Sequence, residues 1–174
     1  MCHTEAVLRA ADFTWDGYFW TTKASLADAR LGPSVKLYFA PEGRGDDPLA
    51  AEEIALAQLA LDQLDSAAEL AVRAIFERYD EWRAEYGYTE AELRQFMPKL
   101  GAVDELYRLI TISSVSVHQL TNSGEPYIGF EFDSLWDPEH GVGVLLNGAR
   151  VVDVGGADTA ILLWIARRDL ESEK

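Results

Sequence analysis

Cysteine is nearly missing from this chain. Of 174 residues only Cys2 carries a thiol. A lone thiol forms no intramolecular disulfide, so a disulfide scaffold is excluded and a reducing, cytoplasmic setting is expected. Positive charge is also scarce, with 15 Lys+Arg against 30 Asp+Glu and a formal net charge of −15. A groove for DNA or RNA needs clustered cations, so nucleic acid is not an expected partner. The chain has no apolar run of about 18 residues, so no transmembrane helix and no membrane partner are expected. The first residues lack a basic segment followed by an apolar one, so no signal peptide is expected. Repeats, low-complexity tracts and linkers are absent too. What is present is apolar material, 48% of the chain. That is enough to bury a core, which excludes disorder. The length fits one domain over residues 1–174.

Periodicity sets the order of elements. Asp16-Gly17 separates two aromatic runs, Phe13-Thr14-Trp15 and Tyr18-Phe19-Trp20, and reads as a two-residue type I′ hairpin turn. Residues 34–39 alternate Val35, Leu37 and Phe39 with polar neighbours, so they read as a third strand. Asp47 followed by Pro48 predicts a helix start. Leu61, Leu64, Ala68, Ala71, Ile75, Tyr79 and Trp82 form one apolar stripe, and Gly87 ends it. A straight helix of that length is long for the domain, so a break is expected near Asp65-Ser66. Thr89 to Glu92 is a capping box for a short helix that stops before Pro98. Residues 103–110 are read as one more short helix. From Thr111 the period becomes two. Ile128, Phe130 and Phe132 face one way; Tyr127, Gly129, Glu131 and Asp133 face the other. Residues 142–146 and 149–154 flank Asn147-Gly148, a strong hairpin signal. Residues 158–170 read as a terminal helix capped by Asp158, with a buried strand at 160–165 as the competitor. The whole is an α+β fold: a mainly antiparallel sheet, a long central helix and a C-terminal helix.

The segment Trp136-Asp137-Pro138-Glu139-His140-Gly141-Val142-Gly143-Val144, followed by Val151-Val152-Asp153-Val154-Gly155-Gly156-Ala157-Asp158-Thr159, resembles a bacterial family of unknown function. That family is marked by a WD-x-EHG-x-GV loop and a VV-x-VGGADT segment. The start at Trp15–Trp20, the helix end near Glu85-Tyr86-Gly87 and Ser113 to Val117 fit it as well. The resemblance implies no reaction, cofactor or substrate. Similar small acidic proteins often sit in bacterial toxin–immunity neighbourhoods, so it implies an immunity or accessory binding role.

Candidate chemistry concentrates in one stretch. Glu125, Glu131, Asp133, Asp137 and Glu139 place five acids in 16 residues without a Lys or Arg, and His140 follows Glu139. Such a cluster suits a basic partner, or a divalent cation held by oxygen and imidazole. The plain structural reading is a hairpin loop: Trp136 anchors in the core, Asp137 caps the turn, and Gly141 and Gly143 supply unusual φ. The spacing fits neither an EF-hand nor a zinc motif, so no metal site is assigned. Gly155-Gly156-Ala157-Asp158-Thr159 lacks the lysine of a phosphate loop and reads as a tight turn. Nucleophilic catalysis has little support. Cys2 and His3 lie in a terminus, and Ser113, Ser114 and Ser116 accompany His118 on a strand without a nucleophile elbow. His118 reads as a half-exposed strand residue. Glu131 and Asp133 share a strand face, which is an exposed face by default. Trp15, Tyr18, Phe19 and Trp20 suit a recognition surface, but alternation places about half of them inward, so core packing is expected to claim some. Between residues 62 and 92 nine acids face three arginines, a second acidic surface able to steer a cationic partner.

The leading expectation is therefore a cytoplasmic binding protein without a cofactor, an immunity protein that occludes a basic toxin. Glu131, Asp133, Trp136, Asp137, Glu139 and His140 are its expected contact residues. The alternatives are a metal-dependent or small-ligand enzyme using the same acids, and an interaction module with another partner.

Overall fold

Seven strands lie side by side in the order in which the chain makes them. The computed structural model describes residues 7–172. Cys2 and His3 fall outside the described residues. The strands are β1 (Thr14–Trp15), β2 (Trp20–Ala24), β3 (Val35–Phe39), β4 (Ile110–Asn122), β5 (Glu125–Ser134), β6 (Val142–Asn147) and β7 (Arg150–Gly155). All neighbours pair antiparallel except β3 and β4, which run parallel. A parallel pair cannot be closed by a tight turn and needs a crossover. Here the crossover holds α1 (Ala51–Asp62), α2 (Leu64–Glu85), α3 (Glu90–Phe96) and α4 (Val103–Leu106). After β7 comes a 3₁₀ turn, Ala157–Ala160, and then α5 (Leu163–Ser172). The α+β reading holds, with the two strand groups in one sheet.

The crossover helices cover one face of the sheet. Leu64, Ala68, Ala71, Ile75 and Tyr79 of the α2 stripe are buried against Val115, Val117, Ile128, Phe130, Phe132, Val144 and Leu146. The strand alternation thus delivers a single apolar face, as the period of two predicts. The second face is covered at one end only. The 3₁₀ turn and α5 lie there, with Tyr127, Leu145, Ile165 and Ala166 forming a smaller cluster.

Several boundaries moved, each for a local reason. The helix begins at Ala51 rather than at Asp47-Pro48, because Glu53 reaches back to the amide of Ala50 at 2.7 Å and caps it. The break lies at Gln63, not at Asp65-Ser66. Gln63 donates from Nε2 to Glu125 at 2.8 Å, and Asp65 instead accepts from the amide of Ala27 at 2.8 Å. The Asp16-Gly17 hairpin exists, but Trp15 pairs with Trp20, so its turn spans residues 16–19. Asp16 holds that turn by accepting from the amides of Tyr18 and Phe19 at 3.0 and 2.9 Å. Asn147 pairs with Arg150, which shifts the second turn by one residue to Gly148-Ala149. The helix expected over 103–110 ends at Leu106, and Ile110 already opens β4.

The C-terminal element differs most. No strand forms at 160–165; a 3₁₀ turn precedes α5. Asp158 does not cap α5. That role falls to Glu42, 121 positions earlier, whose carboxylate accepts from the amide of Leu163 at 2.8 Å.

Candidate functional site

The loop after β5 begins with an anchor. Trp136 is 2% exposed and packs edge-on against Tyr79 of α2, ring centroids 5.5 Å apart. It therefore acts from inside the core and is not itself a contact surface. The next residues form a turn around Asp137. Its Oδ1 accepts from the amide of His140 at 3.1 Å and lies 3.0 Å from His140 Nδ1. Its backbone carbonyl accepts from Gly141 at 2.8 Å. Gly141 has φ +63°, a conformation that glycine adopts without strain.

The turn does not stand alone. Tyr86, the cap of α2, donates its hydroxyl to Asp137 Oδ2. Tyr88 donates to the carbonyl of Trp136 at 2.7 Å. The two tyrosine rings lie 5.1 Å apart. Together with Pro138, Glu139 and His140 they line an open hollow of about 510 Å³. Burial works against ionisation of Asp137, but hydrogen bonds from Tyr86 and His140 outweigh it and hold the carboxyl below its ordinary range. Burial, reinforced by the Asp137 carboxylate, pushes the Tyr86 hydroxyl up. So Asp137 is a charged acceptor and Tyr86 a fixed donor. Glu139 and His140 are exposed beside them, while Glu90 is exposed and paired with Arg94 at 3.4 Å.

Thus only part of the acidic stretch converges. Asp137, Glu139 and His140 meet the end of α2 on the helical side. Glu131 and Asp133 lie on the other face of the sheet, because their strand partners are Ser114 and Gly143, and Thr111. Glu125 sits at the far end of β5. Glu131 is half-buried, not solvated as expected of an open strand face. Burial raises its pKa, the Ser114 hydroxyl opposes that rise, and the neighbouring charge of Asp133 adds to it. Asp133 is exposed. Among the described residues no three His, Cys, Asp or Glu side chains gather to hold a metal ion. Sequence reading missed Tyr86 and Tyr88 as site residues. The available signal was two tyrosines bracketing Gly87, just where the helix had to stop.

The glycine-rich motifs serve packing. Gly143 was expected to supply an unusual φ, yet it is an ordinary strand residue. What it supplies is absence of bulk: a Cβ there would lie 2.4 Å from the carbonyl oxygen of Gly156. A Cβ on Gly129 would lie 1.9 Å from the carbonyl oxygen of Ala160. The 3₁₀ turn therefore rests directly on the backbone of β5 and β6. His118 secures it. It is fully buried, against the half-exposed expectation, and its Nε2 lies 2.9 Å from the Ala160 carbonyl. That geometry requires a proton on Nε2, and burial pushes the imidazole pKa down. Ser114 and Ser116 share this face with His118 and are also buried. Burial keeps these two hydroxyls and the imidazole away from solvent.

The aromatics of the first hairpin do not divide by simple alternation, because Tyr18 and Phe19 lie in the turn. Tyr18 is 80% exposed, while Trp15, Phe19 and Trp20 are half-buried. Trp20 donates from Nε1 to the Asp47 carbonyl at 3.0 Å. Among the described residues no helix is long and apolar enough to cross a membrane.

Residues 11–162 match one family, described as Domain of unknown function (DUF6985). No curated protein and no solved structure matches the chain.

Proposed function

The chain belongs to DUF6985, an uncharacterised domain family, and from its surface we propose that it is an acidic binding protein whose partner is a basic protein. One observation carries this reading: the Tyr86–Asp137 hydrogen bond joins the end of the acidic helix to the acidic turn. The C-terminal end of the acidic helix and the acidic turn thereby adjoin, with Tyr86, Tyr88 and Pro138 as the apolar part of the hollow and Asp137 and Glu139 as its carboxylates. Tyrosine presents area at low entropic cost, and carboxylates around it speed encounter with a cation-rich surface. No Lys or Arg lines the hollow. The finer form of the proposal is a cytoplasmic bacterial immunity protein that occludes a toxin, such as a nuclease whose cleft attracts phosphate.

Of the expected contacts, Asp137, Glu139 and His140 stay in this proposal and Trp136 serves as the anchor beneath them. Glu131 and Asp133 lie on the other face and leave it. The test is co-expression with the product of the adjacent gene, followed by affinity measurement over a salt series. Binding is expected to weaken as salt rises. Changing Glu85 and Glu139 together to lysine is expected to weaken it by about tenfold or more. If the neighbour is no toxin and no protein binds at micromolar concentration, the reading has no basis left.

A further inference from the structure

The sheet has an open notch at its β1 edge. β1 contributes two residues and covers only Trp20 and Thr21 of β2. Beyond it, Thr22, Lys23 and Ala24 pair with β3 on one side only. The ladder phase follows from the turn. The amide of Asp16 bonds to the carbonyl of Phe19, so Trp15 and Trp20 form a non-bonded pair and Thr14 and Thr21 a bonded one. Bonding then alternates along β2, and the N–H and C=O of Lys23 point away from β3 into the notch. A hollow of about 660 Å³ lies there, lined by Asp12, Thr14, Thr21, Lys23, Ser34 and Lys36 among others.

The charges at this notch run against the rest of the molecule. The chain has four lysines, and two of them, Lys23 and Lys36, stand directly opposite each other across β2 and β3. Like charges in that position repel. Lys36 is compensated by Asp16 at 2.9 Å, with its ammonium 4.8 Å from the Tyr38 ring centroid. Lys23 is exposed and makes no ion pair or hydrogen bond with a described side chain. Among the described residues, this acidic protein thus keeps an ammonium without an ion pair beside a backbone donor and acceptor without a strand partner.

We propose that the notch binds an extended acidic segment of a partner protein, which adds to the sheet along β2. Its backbone would exchange two hydrogen bonds with Lys23, and its carboxylate side chain would lie beside the Lys23 ammonium on the same face of the sheet. This site is independent of the acidic surface around Asp137 and selects the opposite charge.

The probe is a short acetylated, amidated peptide of alternating Glu and Val, with a Gln/Val peptide as control, titrated into the isotopically labelled full chain. Saturable binding is expected, with the largest amide shifts at Thr22, Lys23 and Ala24. The control is expected to bind several-fold more weakly, and Lys23→Gln, an exposed position, to reduce Glu/Val binding to the control level. Absence of saturation, or equal affinity for Lys23→Gln, overturns the proposal. Inorganic phosphate that reproduces the shifts and displaces the peptide identifies a free-anion site and overturns the strand pairing. If Lys23→Gln self-associates while the native chain binds no peptide, the lysine only guards an exposed edge and the proposal falls.

Discussion

His118 shows how far one side chain can depart from its sequence neighbourhood. It sits in an alternating Ser/Val strand, where half-exposure is the natural expectation. It is buried because the backbone of the 3₁₀ turn, not a side chain, lies above it. No sequence pattern announces a backbone lid of that kind. The burial has a pH consequence. The group facing its Nε2 is the Ala160 carbonyl, which favours a proton there, and Glu42 acts in the same direction; desolvation outweighs both. The folded pKa is therefore below the ordinary value near 6.5, and the unfolded chain takes up a proton the folded chain refuses. Stability from this group is complete above that value and is lost as pH falls below it. Denaturation curves of the native chain and of His118→Gln, measured between about pH 7 and pH 5, should diverge in slope. The variant keeps an N–H for Ala160 without a titrating ring, so its curve should be flatter. Parallel curves would show that His118 does not titrate in this window.

At the scale of elements, periodicity located the strands and the α2 stripe well, because both follow from one buried face. Thr89 with Glu92 was legible as a cap because its partners are three residues apart. The cap of α5 was not legible, because Glu42 comes from the other end of the chain. The acidic stretch was half legible for the same reason. Its local turn, from Asp137 to His140, could be read from sequence, but the tyrosines that complete it belong to a helix end 51 positions away. Gly143 misled reading because its role, like that of Gly129, is steric. Gly129→Ala places a methyl inside the Ala160 carbonyl, so a loss of about 3 kcal/mol is expected in denaturant unfolding. Gly143→Ala should cost a comparable amount. Both are relieved by the same movement, release of the 3₁₀ turn, so the double variant should cost clearly less than the sum. Strict additivity would mean that the two glycines do not share one contact.

For the whole molecule, charge is unevenly placed. Carboxylates gather where the end of α2 meets the 137–140 turn, while two of the four lysines stand together at the β2 notch. An average of −15 hides that contrast. The two proposed sites select opposite charges, a contrast that composition, being an average, does not carry.

The single parallel junction, between β3 and β4, also bears on how the chain assembles. Strands β4 to β7 are joined by short turns and can zip in sequence. Bringing β3 to β4 requires residues 40–109 to close as a loop, at an entropic cost of about 4 kcal/mol, before any contact repays it. The β1–β3 ribbon should therefore join last and open first. In native-state hydrogen exchange, amides of β2 and β3 should exchange through a lower-energy opening than those of β5 and β6. Seen this way, the junction is the seam along which the molecule comes apart.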